Sequence, residues 1–248
     1  MLATHPDQRQ DDRPGRLDRP ARPVPPDVRG AFEVHLTVGP GAAEALAAWA
    51  DGHGLKFTHI LLERGASPSQ PMLTLRADGT LAEVAALTDQ VGGRLRRAGF
   101  TVLRAKIEAT PWAEGVPASD EDAVPHGAGR YFEHHVKLLL PAPAGAPDTA
   151  RLTALAVRHD AHLSRNPRRV REDGRREWFV TQRCRLVGLD TAGRRLEALL
   201  RDLAADGHEV VSAEREFVVV DSHEGLDAGW IAEQHGHTAR PYGEGESI

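Results

Sequence analysis

The chain is poor in cysteine, lysine and aromatic residues, and each shortage excludes something. A single cysteine, Cys184, among 248 residues rules out an intrachain disulfide and any zinc cage built from cysteines. Lysine occurs only at Lys56, Lys106 and Lys137, so the basic residues are overwhelmingly arginine, a bias that fits a GC-rich coding sequence. Aromatics make up 5% of the residues, too few for an extended base-stacking surface. No apolar run approaches the ~20 residues needed to span a bilayer, so no membrane partner is expected. The first residues carry Asp7, Asp11 and Asp12 without an apolar core, unlike a secretory signal, and a cytoplasmic location is the expectation. A net charge of −5 argues against a protein that coats nucleic acid with its whole surface.

What is present describes a globular chain. Residues are 40% apolar and 27% charged, and the length supports a real core. Composition divides it into five parts. Residues 1–30, rich in Pro, Arg and Asp, read as a disordered tail, because they bury too little to offset their ordering entropy. Residues 111–129, rich in Pro, Gly and acids, have the composition of a linker. Residues 223–248 are irregular, with Trp230 and Ile231 as candidate anchors and His223, His235 and His237 scattered through weakly structured sequence. Between these lie two similar blocks, 31–110 and 131–222.

Each block reads as β-α-β-β-α-β. In the first, Phe32, Val34, Leu36 and Val38 alternate with Glu33, His35 and Thr37, the period of a half-buried strand. Thr80 and Glu83 form a capping box before a helix that turns Leu81, Val84, Leu87, Val91 and Leu95 inward. The second block repeats the order, with a hairpin turn at Asp173-Gly174. The fold class is therefore α+β: a tandem duplication of a ferredoxin-like unit, giving two antiparallel sheets with helices on one face of each. Cys184 and His134 fall on the helix-facing side and read as core.

The two blocks can be superposed on each other in sequence. Phe32-Glu33-Val34-His35 matches Phe132-Glu133-His134-His135; Thr74 and Arg76 match Thr181 and Arg183; Glu108 matches Glu216. Strand phase sends these polar residues, with Lys106, Lys137, Arg185 and Glu214, away from the helices. If the sheets face each other, His35 and His135 line one two-walled cleft, a setting in which perturbed pKa values are expected.

Three chemistries fit such a cleft. His35-Leu36-Thr37-Val38 resembles the His-Φ-Thr-Φ motif of the 2H phosphoesterases. That resemblance implies one histidine as base and one as acid, with hydroxyls on phosphate oxygens. It makes His35, Thr37, His135 and Lys137 the candidate catalytic residues, Lys137 standing where a second Ser or Thr would be. A histidine on the first strand and a glutamate on the last of each unit also resembles the ligand plan of the vicinal-oxygen-chelate enzymes. That resemblance implies a divalent metal on His35, Glu108, His135 and Glu216. The third chemistry is binding of an anionic, phosphorylated small molecule or nucleotide by Thr74, Arg76, Lys106, Thr181, Arg183 and Arg185. The eight arginines between residues 164 and 185 leave a nucleic-acid surface open, although a solvated hairpin explains most of that run. Against all three stands a structural role, in which Glu33, His35 and their copies are polar pairs at a sheet interface.

Overall fold

The computed structural model describes residues 25–140 and 146–230; the expectations for residues 1–24, Ile231, His235 and His237 lie outside the described residues. The first half runs β1 (Arg29–Val38), α1 (Ala43–Gly52), β2 (Lys56–Leu62), β3 (Ser69–Thr80), α2 (Leu81–Arg97) and β4 (Val102–Ala109). A short α3 (Asp120–Ala123) precedes the second half. That half runs β5 (Tyr131–Leu140), α4 (Ala146–Arg158), β6 (Ala161–Val170), β7 (Arg176–Arg185), α5 (Leu189–Ala205) and β8 (Val210–Asp221). Among the described residues, no helix is long and apolar enough to cross a membrane.

Alternation decides which face meets the helices. Leu36 and Val38 of β1 and Leu73 of β3 pack with Leu46 and Ala50 of α1 and with Val91 and Leu95 of α2. Val136 and Leu138 of β5 do the same with Leu152 and Leu155 of α4 and with Leu196, Leu199 and Leu203 of α5. Each such side chain, fully buried, contributes ~1.5–3 kcal/mol. The capping box that opens α2 is formed: Glu83 N–H donates to Thr80 Oγ1 at 3.3 Å, and Thr80 N–H to Glu83 Oε2 at 2.8 Å. Cys184 lies fully buried in the core, where burial pushes its thiol up to about 11. His134 is fully buried on the same side, with Nδ1 3.0 Å from Gln182 Oε1.

The expectation of two separate sheets is corrected. β4 pairs antiparallel with β8 (Ile107 opposite Val220), and β2 with β6 (Leu62 opposite Ser164). The strands close into one barrel in the order β1-β3-β2-β6-β7-β5-β8-β4. Closure removes the open edges that two free sheets would leave unpaired. It also turns the polar faces of both halves into one enclosed interior.

Two segments read as irregular are built into this barrel. Residues 111–129 form a packed strap: Ala113 and Val116 lie against the cluster of Phe32, Phe132, Val187 and Phe217. Glu114 N–H donates to Arg29 O at 2.9 Å, and Arg29 N–H to Glu114 O at 3.0 Å. At Gly115 (φ +83°) an added Cβ would stand 1.9 Å from Asp27 O. Gly115→Ala is therefore expected to lower stability by ~1–3 kcal/mol, from strain and displacement of the strap, measured by urea unfolding.

The second segment, residues 222–230, plugs one end of the barrel. Trp230 is buried, and its indole Nε1–H donates to Leu163 O at 2.8 Å. Asp227 accepts from Gln70 Nε2 at 2.9 Å, Arg104 Nη1 at 3.0 Å and Arg183 Nη2 at 2.6 Å. The pseudo-symmetric end has no such plug among the described residues. Arg76 there is 84% exposed, against 6% for its copy Arg183.

Candidate functional site

The interior-pointing residues of the two halves meet in a cavity of about 590 Å³. On β1, His35 stands between β3 and β4, opposite Thr74 on one side and Lys106 on the other. Its Nδ1 lies 3.0 Å from Thr74 Oγ1 and its Nε2 2.9 Å from Glu108 Oε2. On β5 the arrangement recurs: His135 Nδ1 lies 3.1 Å from Thr181 Oγ1, and Nε2 3.2 Å from Glu216 Oε2. Both rings line the one cavity. Each is held at both nitrogens, which fixes its plane.

The copies differ one step along the last strand. Lys106 stands beside His35, whereas Glu214 stands at the matching place beside His135. Lys106 Nζ reaches Glu108 Oε1 at 2.5 Å and, across the barrel, Glu133 Oε2 at 2.9 Å. Burial would raise the Glu108 carboxyl, but the Lys106 ammonium and the His35 ring overcome it and hold it well below the usual range. Glu133 follows the same balance, with Lys106 and Arg183 outweighing its burial. For His135, burial favours the neutral ring. The hydrogen bond to Glu216 and the charges of Glu133, Glu216 and Glu108 prevail, and its pKa rises to about 9. Burial and the charge of Glu108 push the Glu216 carboxyl up.

The four candidate catalytic residues all line this cavity, at different depths. His35 and His135 come together, while Thr37 is buried next to Arg104 and Lys137 lies at the open end, its Nζ 5.5 Å from the centre of the Phe179 ring. The hydroxyls that hold the histidines belong to Thr74 and Thr181, not to Thr37.

The candidate metal plan changes too. Among the described residues, the trio whose ligand atoms lie within 4.8 Å of one another is Glu108, Glu133 and His135. The Lys106 ammonium bridges its two carboxylates, in the place a cation would take. These residues do not fit a divalent ion while Lys106 is there.

The candidate anion-binding set is dispersed. Thr181, Lys106 and Arg183 line the cavity, but Lys106 and Arg183 are already engaged by Glu108, Glu133 and Asp227. Thr74 lies behind His35 and also bonds Thr58 at 3.1 Å. Arg76 projects to solvent and pairs with Glu33 at 3.1 Å. Arg185 donates to Ala128 O and to Glu224 at the plugged end and lies over the Tyr131 ring.

Strand phase alone sends Arg104 inward with Lys106 and Glu108, but sequence reasoning missed its partners Asp221 and Asp227. Arg104 donates to Asp221 through Nε (2.8 Å) and Nη2 and to Asp227 through Nη1, which cements the plug. His162, on β6, is buried against the Trp230 ring, and burial together with Arg64 and Arg183 lowers its pKa to about 4. The sequence offered no signal for Asp227 beyond its place three residues before Trp230.

No protein-family model matches this chain, and no curated relative matches it. Among solved structures, the small subunit of acetolactate synthase from Thermotoga maritima is similar over 77% of this chain and 95% of its own. The identity is 13% and the TM-score 0.25, an overlap too small to bear on function.

Proposed function

We propose that the barrel interior binds a small organic molecule and exchanges protons with it through the paired histidines. The observation that carries this reading is the convergence of His35 and His135, each fixed by a threonine and a glutamate, in one enclosed cavity. Enclosure strengthens every polar contact a bound molecule would make. The His135–Glu216 pair keeps a proton at neutral pH, so it serves as the donor. His35, with Glu108 Oε2 2.9 Å from its Nε2, is the second ring that a bound molecule would meet.

Phosphate-ester turnover is the narrower form of this reading. It lacks a hydroxyl partner two residues after His135, where Lys137 stands.

A small-molecule thermal-shift screen, followed by NMR of the histidine rings, tests the broader proposal. Ligands are expected to shift both His35 and His135 resonances and to lose at least tenfold in affinity in His35→Gln and His135→Gln. Ligands that bind indifferently to both substitutions would defeat it. So would a screen without hits in which both variants merely unfold more easily; the histidines would then be structural.

A further inference from the structure

The cations lining the cavity are tightly paired at the floor and loosely held at the rim. At the floor, Arg104, Lys106 and Arg183 face Glu108, Glu133, Glu216 and Asp227. Each of the three cations has a carboxylate oxygen within 3.0 Å. With Asp221 beside Arg104 as well, carboxylates outnumber the floor cations, which are already engaged. At the rim, Lys56, Lys137, Arg168 and Arg169 share the lining with Glu177 and Glu214, and Lys56 also reaches Glu33 at 3.5 Å.

The rim cations are also held loosely. Arg169 forms no ion pair among the described residues. Lys137 has a single carboxylate nearby, Glu177 at 3.8 Å, and Glu177 also receives Arg171 at 3.6 Å. Arg168 pairs with Glu44, whose side chain is 89% exposed, a contact that water and salt weaken. Phe179, opposite Lys137, supplies apolar wall on the rim side, while Met72, opposite Thr37, and Ile60, opposite Gln70, lie toward the plug.

We infer that the cavity takes an amphiphilic organic anion. Its carboxylate or phosphate is held at the rim by Arg169 and Lys137, its apolar body lies along Phe179, and its uncharged polar end reaches the histidines. Desolvating a charge is costly, so the ligand's anion belongs where cations are unsatisfied and water is near, not at a floor whose cations are already paired. This moves the anion site from Lys106 and Arg183 to the end of β6, where the arginine-rich hairpin meets the mouth. It rests on the cavity's being a ligand site, as proposed above, and adds the ligand's class and orientation.

Titration calorimetry with phenyl phosphate, benzoate, benzyl alcohol and inorganic phosphate, with NMR of the histidine rings, tests the inference. Phenyl phosphate or benzoate should bind at least tenfold more tightly than benzyl alcohol and than inorganic phosphate; which of the two wins tells a phosphate from a carboxylate ligand. Arg169→Gln combined with Lys137→Gln, both on the accessible rim, should erase the preference over benzyl alcohol. Equal affinity for the neutral and anionic probes, with histidine shifts in each, would overturn the rim site and leave the cavity reading standing. Anion binding that survives the double substitution would overturn it as well. Binding of any probe without a shift at His35 or His135 would count against the cavity reading itself.

Discussion

Lys106→Met is expected to destabilise the protein by about 3–5 kcal/mol at pH 7 and to convert a carboxylate cluster into a divalent-cation site. Lys106 is the one ammonium that joins the halves through the barrel, contacting Glu108 of β4 and Glu133 of β5. Both carboxyls stay ionised largely because of it. Methionine preserves the volume but leaves two buried carboxylates facing each other without the charge between them. The loss should shrink in acid, where protonation relieves the repulsion. Since these carboxyl pKa values are depressed in the folded protein, the sign is fixed: their stabilisation is present above the unfolded value and fades as pH falls.

The same substitution empties the position that keeps Glu108, Glu133 and His135 from holding a metal. Millimolar Mn²⁺ or Zn²⁺ should therefore raise the midpoint of urea unfolding in Lys106→Met and leave the parent protein unmoved. A variant as stable as the parent at pH 7, or a parent stabilised by the same ions, would contradict this account of Lys106.

The feature legible in the sequence was the duplication, because strand alternation is a local property. His35 and His135 share a phase opposite to Leu36 and Val136, and that alone directed both rings inward. Closure of the barrel was not legible. Pairing of β4 with β8 and of β2 with β6 joins edge strands from different halves, and nothing within a strand names its partner. The hairpin expected at Asp173-Gly174 joins β6 and β7, but its place in the wall of the barrel was not legible, nor was the interruption of its ladder between Arg165 and Val170. Residues 111–129 have a linker's composition but gain order from elsewhere: the Ser119–Asp122 capping box, the ladder to Arg29 and a seat against Phe132 and Phe217. Asp227 illustrates the limit. A single acid in an irregular tail becomes the buried partner of two arginines from different halves, information that exists only in three dimensions.

The second large effect is the titration of His135, which should occur near pH 9. In an unfolded chain an imidazole titrates at about 6.5. In the barrel, burial alone would lower that value, but Glu216 at 3.2 Å and the charges of Glu133 and Glu108 raise it to about 9. Thr181 sits at the other nitrogen, and the hydroxyl accommodates either protonation state. A raised base stabilises the fold fully below its unfolded pKa, and the contribution is lost as pH climbs through the folded value. The rise corresponds to at most roughly 3 kcal/mol. Glu216, whose folded pKa is also raised, loses stability in the same direction as pH climbs from the ordinary carboxylate value upward, so it adds to the fall instead of opposing it. Unfolding free energy should therefore fall between pH 6.5 and about 9, and His135→Gln should flatten that fall. Ring NMR should place the His135 midpoint well above neutrality, and Glu216→Gln should lower it by replacing a charged acceptor with a neutral one. A His135 ring that titrates at or below its unfolded value would remove the proton donor from the cavity, and the proposed proton exchange with it.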